Sequence, residues 1–198
     1  MTARTSHIML VLSAFLAGLV VFFMVFLFAT GQFRSGAPSA SAIGGPFSLT
    51  DQDGKPITDQ DLKGEPLLVF FGYTHCPDIC PTTLFEISEV LRAMGPDAGR
   101  VHALYITVDP ERDTPAVMKD YLSSFDPHLR GATGDRKAIE AAEKAYRVFA
   151  QKVPAANGDY SMDHTALVYL MDKQGRFVAP FSLKRRPEEA AADLRKYL

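Results

Sequence analysis

The spacing of hydrophobic positions changes several times along the chain, and each change predicts a different element. From Ile8 to Thr30 the chain runs for 23 residues without a charge. As a helix this stretch would be about 34 Å long at ~1.5 Å per residue, and a bilayer core is about 30 Å thick. Because the apolar core of a cleaved signal peptide is only about 7–15 residues long, we expect a retained transmembrane anchor over residues 8–30, preceded by a short head of residues 1–7.

The composition changes again after this apolar stretch. Residues 31–46 are dominated by Gly, Ala, Ser and Pro, which is typical of a flexible linker. Residues 47–198 alternate apolar runs with segments of helical spacing, which predicts one folded domain.

Few positive charges flank the predicted transmembrane span of residues 8–30 on either side, so they give only a weak orientation signal. A seven-residue head before a single span favours a cytoplasmic head, a bacterial inner-membrane anchor and a folded domain in the periplasm.

The folded region reads as alternating strands and helices. Strands are predicted from short apolar runs bounded by turn residues: a hairpin around Asp53-Gly54, then Pro66–Tyr73, Val101–Val108, His164–Asp172 and Gly175–Leu183. Helices are predicted from apolar residues three or four positions apart: Thr82–Gly95, a segment from Pro115, Gly134–Gln151 and a segment from Pro187. On these helices Val117 and Phe149 are expected to face the core. The order, with a further strand between the second and third helices, predicts an α/β fold: a thioredoxin-like mixed sheet with helices on both faces.

Charge excludes one class of function. Lys and Arg total 21 and Asp and Glu total 23, for a formal net charge of −2. Without a basic surface, nucleic-acid binding is not expected.

The two cysteines of the chain, Cys76 and Cys80, lie four positions apart in the segment YTHCPDICPTTL. This segment follows a predicted buried strand and opens a predicted helix, where functional groups of open α/β sheets gather. A helix N-terminus favours a thiolate, so we expect thiolate character for both cysteines, with Asp78 complementing the helix dipole. The spacing alone leaves three interpretations open: a structural disulfide, a redox pair or two soft metal ligands.

A metal site would need a third donor, and imidazole suits both copper and zinc. His7 lies on the other side of the predicted anchor, and three histidines have better explanations as surface or packing residues: His75, His102 and His128. His164 is the candidate, because it is predicted to open a strand after the polar loop 155–163 and to face the cysteine helix. Asp163 would orient it or cap the loop, and Met162 would be a weak axial ligand or a packed side chain.

Three segments in order, GYTHCPDICPTTL, TVDPERDTP and DHTALVYLMD, resemble the Sco/SenC family of membrane-anchored copper proteins. The resemblance covers residues 47–198. It implies that Cys76, Cys80 and His164 bind one copper ion per chain, on a fold similar to thioredoxins. It also implies a role in assembling the CuA centre of cytochrome c oxidase subunit II, by copper delivery, by reduction of the target's cysteines, or both.

Four functions therefore remain open from the sequence. A copper metallochaperone that serves cytochrome c oxidase subunit II, and exchanges copper with other periplasmic carriers, uses all three ligands. A thiol–disulfide reductase needs only Cys76 and Cys80 as its redox pair. A peroxidase of the peroxiredoxin class would need Thr-x-x-Cys, whereas Thr74 is one residue too close to Cys76. A structural zinc site normally has four protein ligands, and the sequence offers three.

Overall fold

In the computed structural model, residues 3–29, 43–155 and 158–198 are described. The chain divides into two compact units, Met1–Ser41 and Ala42–Leu198. The first unit contains helix α1 (Ala3–Ala29). Within the described part of the chain, no helix is both long enough and apolar enough to span a bilayer. Residues 30–42, which include most of the predicted linker, lie outside the described residues, as do the side chains of 8–11 and 27–29, so the predicted anchor is not confirmed.

The second unit is built on a seven-stranded mixed sheet. Its strands are β1 (Ser48–Asp51), β2 (Pro56–Thr58), β3 (Leu67–Gly72), β4 (His102–Thr107), β5 (Leu129–Thr133), β8 (Val168–Met171) and β9 (Phe177–Pro180). Across the sheet they lie in the order β2-β1-β5-β4-β3-β8-β9. A separate two-stranded hairpin consists of β6 (Ala150–Pro154) and β7 (Tyr160–His164). The helices are α2 (Ile79–Met94), α3 (Pro115–Leu122), α4 (Arg136–Tyr146) and α5 (Pro187–Leu194).

The mixed sheet predicted from the sequence is confirmed by the pairing of its central strand. β3 pairs in parallel with β4 and antiparallel with β8, and all six of its residues are buried. The predicted hairpin of β1 and β2 is also present. There the side chain of Asp51 accepts the backbone N–H groups of Asp53 and Lys55, and Gly54 supplies the positive φ of 79° that the turn requires.

Helices cover both faces of this sheet, as predicted. Successive strand residues point to opposite faces. At the end of β3, a side chain at Gly72 would point at Cys80 of α2, whereas the ring of Phe71 packs 5.4 Å from that of Tyr146 in α4. α2 and α4 therefore lie on opposite faces, and α5 packs against α2.

Two helical predictions are wrong in detail. α4 ends at Tyr146, because Arg147 adopts a left-handed conformation with φ 58°. Phe149 therefore lies beyond the helix and is exposed. In α3 the buried face is made by Met118 and Leu122, and Val117 is exposed instead. The spacing of apolar residues allowed either Val117 or Met118 to face the core. Met118 does so because α3 packs against the neighbouring strand β5.

The segment before β8 also differs from the prediction. Residues 160–163 were expected in a polar loop, but they belong to β7. His164 closes β7 instead of opening the next strand, which begins at Val168. The reason is that β6 and β7 pair only with each other and are largely exposed. Such a hairpin has the polar composition of a loop.

Candidate metal centre

The structure brings together three side chains that the sequence singled out. One ligand atom from each of Cys76, Cys80 and His164 lies within 4.8 Å of the other two. Both cysteines are buried and free, and the imidazole is partly buried. The group sits at the carboxyl end of β3, where the chain turns into α2.

The start of α2 places the two sulfurs. The helix begins at Ile79, three residues earlier than predicted, so Cys80 lies in its first turn. Amides in a first helical turn have no partner within the helix. Here the N–H of Cys80 donates to the Sγ of Cys76 at 3.4 Å, while the N-cap residue Asp78 makes no capping hydrogen bond with its side chain. The sulfur of Cys76 thus acts as the hydrogen-bond acceptor that a capping side chain usually supplies.

The close packing behind Cys80 depends on a glycine. A Cβ atom at Gly72 would lie 2.7 Å from the Sγ of Cys80 and 2.9 Å from the hydroxyl oxygen of Tyr105. No ordinary Cβ contact is that short, so any side chain at this position would displace one of these two groups. The absence of a side chain lets the helix approach the end of β3 closely enough to bury Cys80.

His164 completes the cluster from the far side. Its Nε2 lies 3.5 Å from the Sγ of Cys80, and its Nδ1 lies 3.2 Å from the carbonyl oxygen of Thr165. A carbonyl only accepts, so Nδ1 carries the proton and Nε2 directs its lone pair toward the sulfurs. The rings of Tyr73 and Phe70 meet the imidazole edge-on, at 5.8 Å and 6.3 Å.

Burial controls the protonation of these ligands. Desolvation raises the pKa of Cys80 to about 12, despite a hydrogen bond from the backbone of Tyr73 that opposes the rise. The thiolate expected for Cys80 from its place at a helix N-terminus is therefore wrong, because the loss of water outweighs the helix field. Burial also lowers the pKa of His164, which favours the neutral, ligating form of the imidazole.

The donor set fits a single soft metal ion. Bonds of about 2.3 Å to sulfur and about 2.0 Å to nitrogen place neighbouring ligand atoms roughly 3.5–4 Å apart, and the observed group lies within 4.8 Å. Two cysteine sulfurs, as thiolates once a metal binds, and an imidazole form a donor set that suits Cu(I) and Zn²⁺. A closed structural zinc site needs four protein ligands, and the cluster found among the described residues has three.

The remaining histidines lie elsewhere. The side chain of His75 is 51% exposed, that of His102 lies 3.8 Å from Glu65, and His128 pairs with Asp126 at 2.7 Å. None of these three belongs to the cluster. His7 falls in α1, where its side chain is outside the described residues.

Of the two residues before His164 in β7, Met162 takes one of the roles considered, that of a packed side chain, and Asp163 does not orient the imidazole. Met162 is buried and lies on the same face of the strand as His164, since residues two apart share a face. Asp163 is exposed on the opposite face, so it does not hold the imidazole. The carbonyl of Thr165 does this instead. Sequence reasoning missed it because any residue type supplies a carbonyl.

Asp113 is a functional residue whose role the sequence did not reveal. Sequence spacing allowed either Asp113 or Thr114 to cap α3, and Thr114 is the N-cap. The Asp113 side chain is fully buried and accepts hydrogen bonds from the backbone N–H of Thr74 at 3.0 Å and its hydroxyl at 2.6 Å. The hydroxyl of Thr107 donates to it as well, at 2.6 Å. Asp113 thereby ties the loop that carries Cys76 to the end of β4.

Comparisons with known proteins agree with this site. The SCO1/SenC family model matches residues 35–198. A SCO2-like protein of Rickettsia felis is 38% identical over 149 residues, which cover 74% of this chain and 73% of that protein.

Solved structures with copper bound have the same fold. ScoI of Bradyrhizobium japonicum with copper bound is 71% identical, with a TM-score of 0.78, and the match covers 79% of this chain and 100% of that one. Yeast Sco1 with copper bound is 36% identical, with a TM-score of 0.72, over 79% of this chain and 88% of that one. The thioredoxin-like fold is thereby confirmed, and copper is the metal that the three-ligand cluster fits.

Proposed function

Because this chain belongs to the SCO1/SenC family, we propose that it is a copper metallochaperone for the CuA centre of cytochrome c oxidase subunit II. The observation that carries the proposal is the convergence of Cys76, Cys80 and His164, with ligand atoms within 4.8 Å of one another. Two sulfurs and a neutral imidazole suit Cu(I). The same family resemblance supplies the identity of the target.

A metal carrier must release its cargo as well as bind it. Three protein ligands leave room for a donor from an acceptor protein, so copper can pass by exchange of one ligand at a time. The partly buried His164 is the most accessible of the three ligands. It lies on a hairpin outside the main sheet, which suits it to be the first ligand replaced.

Copper titration of the purified chain tests this proposal. Cu(I) is added under anaerobic, reducing conditions in competition with a chromophoric chelator. We expect one equivalent to bind tightly, and affinity to fall sharply in Cys76→Ala, Cys80→Ala and His164→Ala. His128→Ala is the matched control, because His128 pairs with Asp126 outside the cluster. Unchanged affinity in His164→Ala would remove the third ligand from the proposal.

A thiol–disulfide reductase is the second candidate, and the proximity of two free sulfurs favours it. The Sγ atoms of Cys76 and Cys80 lie within 4.8 Å of each other, so a small movement would let them join as a disulfide. In that reaction the two thiols give up two electrons and two protons, and a disulfide of the target is reduced to two thiols. His164 discriminates between the functions: His164→Ala should abolish copper delivery and leave target reduction intact.

We also propose where the protein acts. The uncharged stretch of residues 8–30 would anchor it in a bacterial inner membrane, with residues 31–46 as a linker and the copper domain in the periplasm. There it would meet subunit II and other periplasmic copper carriers. Membrane fractionation with protease added to spheroplasts tests this placement. A domain that stays protected from the protease, or that is released without detergent, would contradict it.

A further inference from the structure

The β6–β7 hairpin delivers His164 to the metal centre, yet it is not part of the main sheet. β6 and β7 pair only with each other, and β6 is largely exposed. Backbone hydrogen bonds of the seven-stranded sheet therefore do not fix where the hairpin lies. Side chains of the loop after β4 contact it instead: Glu111 pairs with Lys152 of β6, and Arg112 contacts the end where β7 begins.

Arg112 lies in the loop after β4 and reaches across to the hairpin. Its Nη1 donates to the carbonyl oxygen of Tyr160 at 3.0 Å and to a carboxylate oxygen of Asp159 at 3.1 Å. Its guanidinium also covers the ring of Tyr160, with the central carbon 3.8 Å from the ring centroid. The side chain is only 17% exposed, so water competes weakly for these contacts.

Asp109 holds Arg112 in this position. The carboxylate of Asp109 is fully buried and accepts the Nε of Arg112. Its other oxygen accepts the hydroxyl of Tyr160 at 3.0 Å. The three residues therefore close a triangle of contacts between the loop after β4 and the first residue of β7. Hydrogen bonds that involve buried charges are among the strongest in proteins.

The same guanidinium also borders the metal centre. Its central carbon lies 5.8 Å from the ring centroid of Tyr73. The ring of Tyr73 in turn meets the imidazole of His164 edge-on at 5.8 Å. Tyr73 belongs to the loop that leads to Cys76, so Arg112 lies between the segment that carries the cysteines and the hairpin that carries the histidine.

We infer that Arg112 is a positioning residue for the metal centre: held by Asp109, it docks the β6–β7 hairpin and so keeps His164 within bonding distance of a metal on Cys76 and Cys80. This inference rests on the ligand set of the proposed function. It assigns a purpose to part of the segment TVDPERDTP, which contains no metal ligand. If Arg112 did not hold the hairpin, the centre would keep the two sulfurs at the start of α2 and lose its nitrogen donor.

The test needs a substitution that weakens the contacts of Arg112 with the hairpin without leaving the buried carboxylate of Asp109 unpaired. Arg112→Ala would bury an uncompensated carboxylate and destabilise the fold for that reason alone. Arg112→Lys keeps the positive charge but loses the planar fork that contacts Asp109 and the hairpin together. Tyr160→Phe keeps the ring and removes the hydroxyl bond to Asp109, so a smaller effect in the same direction is expected. Arg176→Lys is the matched control, because Arg176 pairs with Asp172 outside this triangle.

A double-mutant cycle with His164→Ala separates positioning from general damage. Cu(I) affinity of the full chain is measured by chelator competition in the parent, Arg112→Lys, His164→Ala and the double variant. We expect Arg112→Lys to weaken binding about 10–100-fold, as is usual for groups that orient a ligand, and to cause no further loss once His164 is absent. Arg176→Lys should leave affinity unchanged.

X-ray absorption of the copper-loaded chain gives a second measurement. It would not change if Arg112 only stabilised the fold. The imidazole contribution to copper coordination should decrease in Arg112→Lys while the sulfur contribution stays. An equal loss of affinity in both backgrounds, or no loss in the parent, would overturn the inference and leave the three-ligand site standing. A His164→Ala variant that binds copper normally would instead overturn the ligand set, and this inference with it.

Discussion

The Nε2 of His164 lies 3.5 Å from the Sγ of Cys80, although 84 residues separate them in the sequence. The contact joins a helix start on one side of the site to a hairpin outside the sheet on the other. It therefore exists only when both segments have reached their final positions. Its chemistry is that of a protonated thiol facing a neutral imidazole, and this pairing leads to the predictions that follow.

Copper binding should release the proton of Cys80. Burial raises the pKa of this thiol to about 12, so the metal-free protein holds the proton at neutral pH, and a metal must displace it. Raising the pH therefore strengthens binding, by about tenfold per pH unit for each proton released. Calorimetry in buffers of different ionisation enthalpy counts the protons. Cys80→Ala should release one proton fewer, and an equal count in both proteins would contradict the prediction.

The contribution of His164 to copper binding should not weaken between pH 7.5 and pH 6.5. Burial lowers the pKa of this imidazole, so protons compete with copper at Nε2 only below the ordinary pKa of histidine, about 6.5. We expect the ratio of parent to His164→Ala affinities to be the same at pH 7.5 and pH 6.5. A ratio that collapses toward one at pH 6.5 would mean that the imidazole is protonated there, contrary to its burial.

Gly72→Ala should disturb both stability and the site. The new Cβ would lie 2.7 Å from the Sγ of Cys80, so the start of α2 has to move. Overpacking of this kind costs about 1–3 kcal/mol, measurable by urea unfolding of the metal-free protein, and copper affinity should fall with it. Gly99→Ala is the control, since its Cβ would meet nothing closer than 4.0 Å. Equal stability of the two variants would show that the site tolerates the shift.

Asp113→Asn should loosen the loop before Cys76. The carboxylate accepts three hydrogen bonds, two from Thr74 and one from Thr107. The NH₂ group of the amide cannot accept a hydrogen bond. Buried donors that now face it lose their acceptor, at a cost of about 1–3 kcal/mol for each unpaired group. We expect a lower unfolding midpoint and faster alkylation of Cys76. Asp120→Asn, at an exposed position of α3, should change neither, and identical behaviour of the two variants would refute the role given to Asp113.

Most of the sheet and the place of the two sulfur ligands could be predicted from local pattern. β3 is a continuous apolar run, and a strand of that kind followed by a helix places its loop at the carboxyl edge of the sheet. Both cysteines sit in that loop or just beyond it. His164 was identified through its place opposite this loop and through the family resemblance, even though the strand that carries it was assigned wrongly.

What the sequence did not reveal depends on contacts between distant segments. The polar hairpin β6–β7 looks like a loop, because no alternating apolar face marks it. The raised pKa of Cys80 follows from burial beneath neighbouring segments, which no local pattern reports. Asp113 and Arg112 act through residues 39 and 48 positions away, and their part in the site becomes visible only when those partners are placed.

The hairpin outside the sheet has a consequence for the order in which the site is completed. The two sulfurs come from one short stretch and are available as soon as β3 and α2 have formed. The nitrogen comes from a residue 84 positions further along the chain and is in place only when β7 has reached its position. A polypeptide that lacks the hairpin thus offers a metal merely a dithiol, and tight uptake of copper reports that the hairpin has been completed.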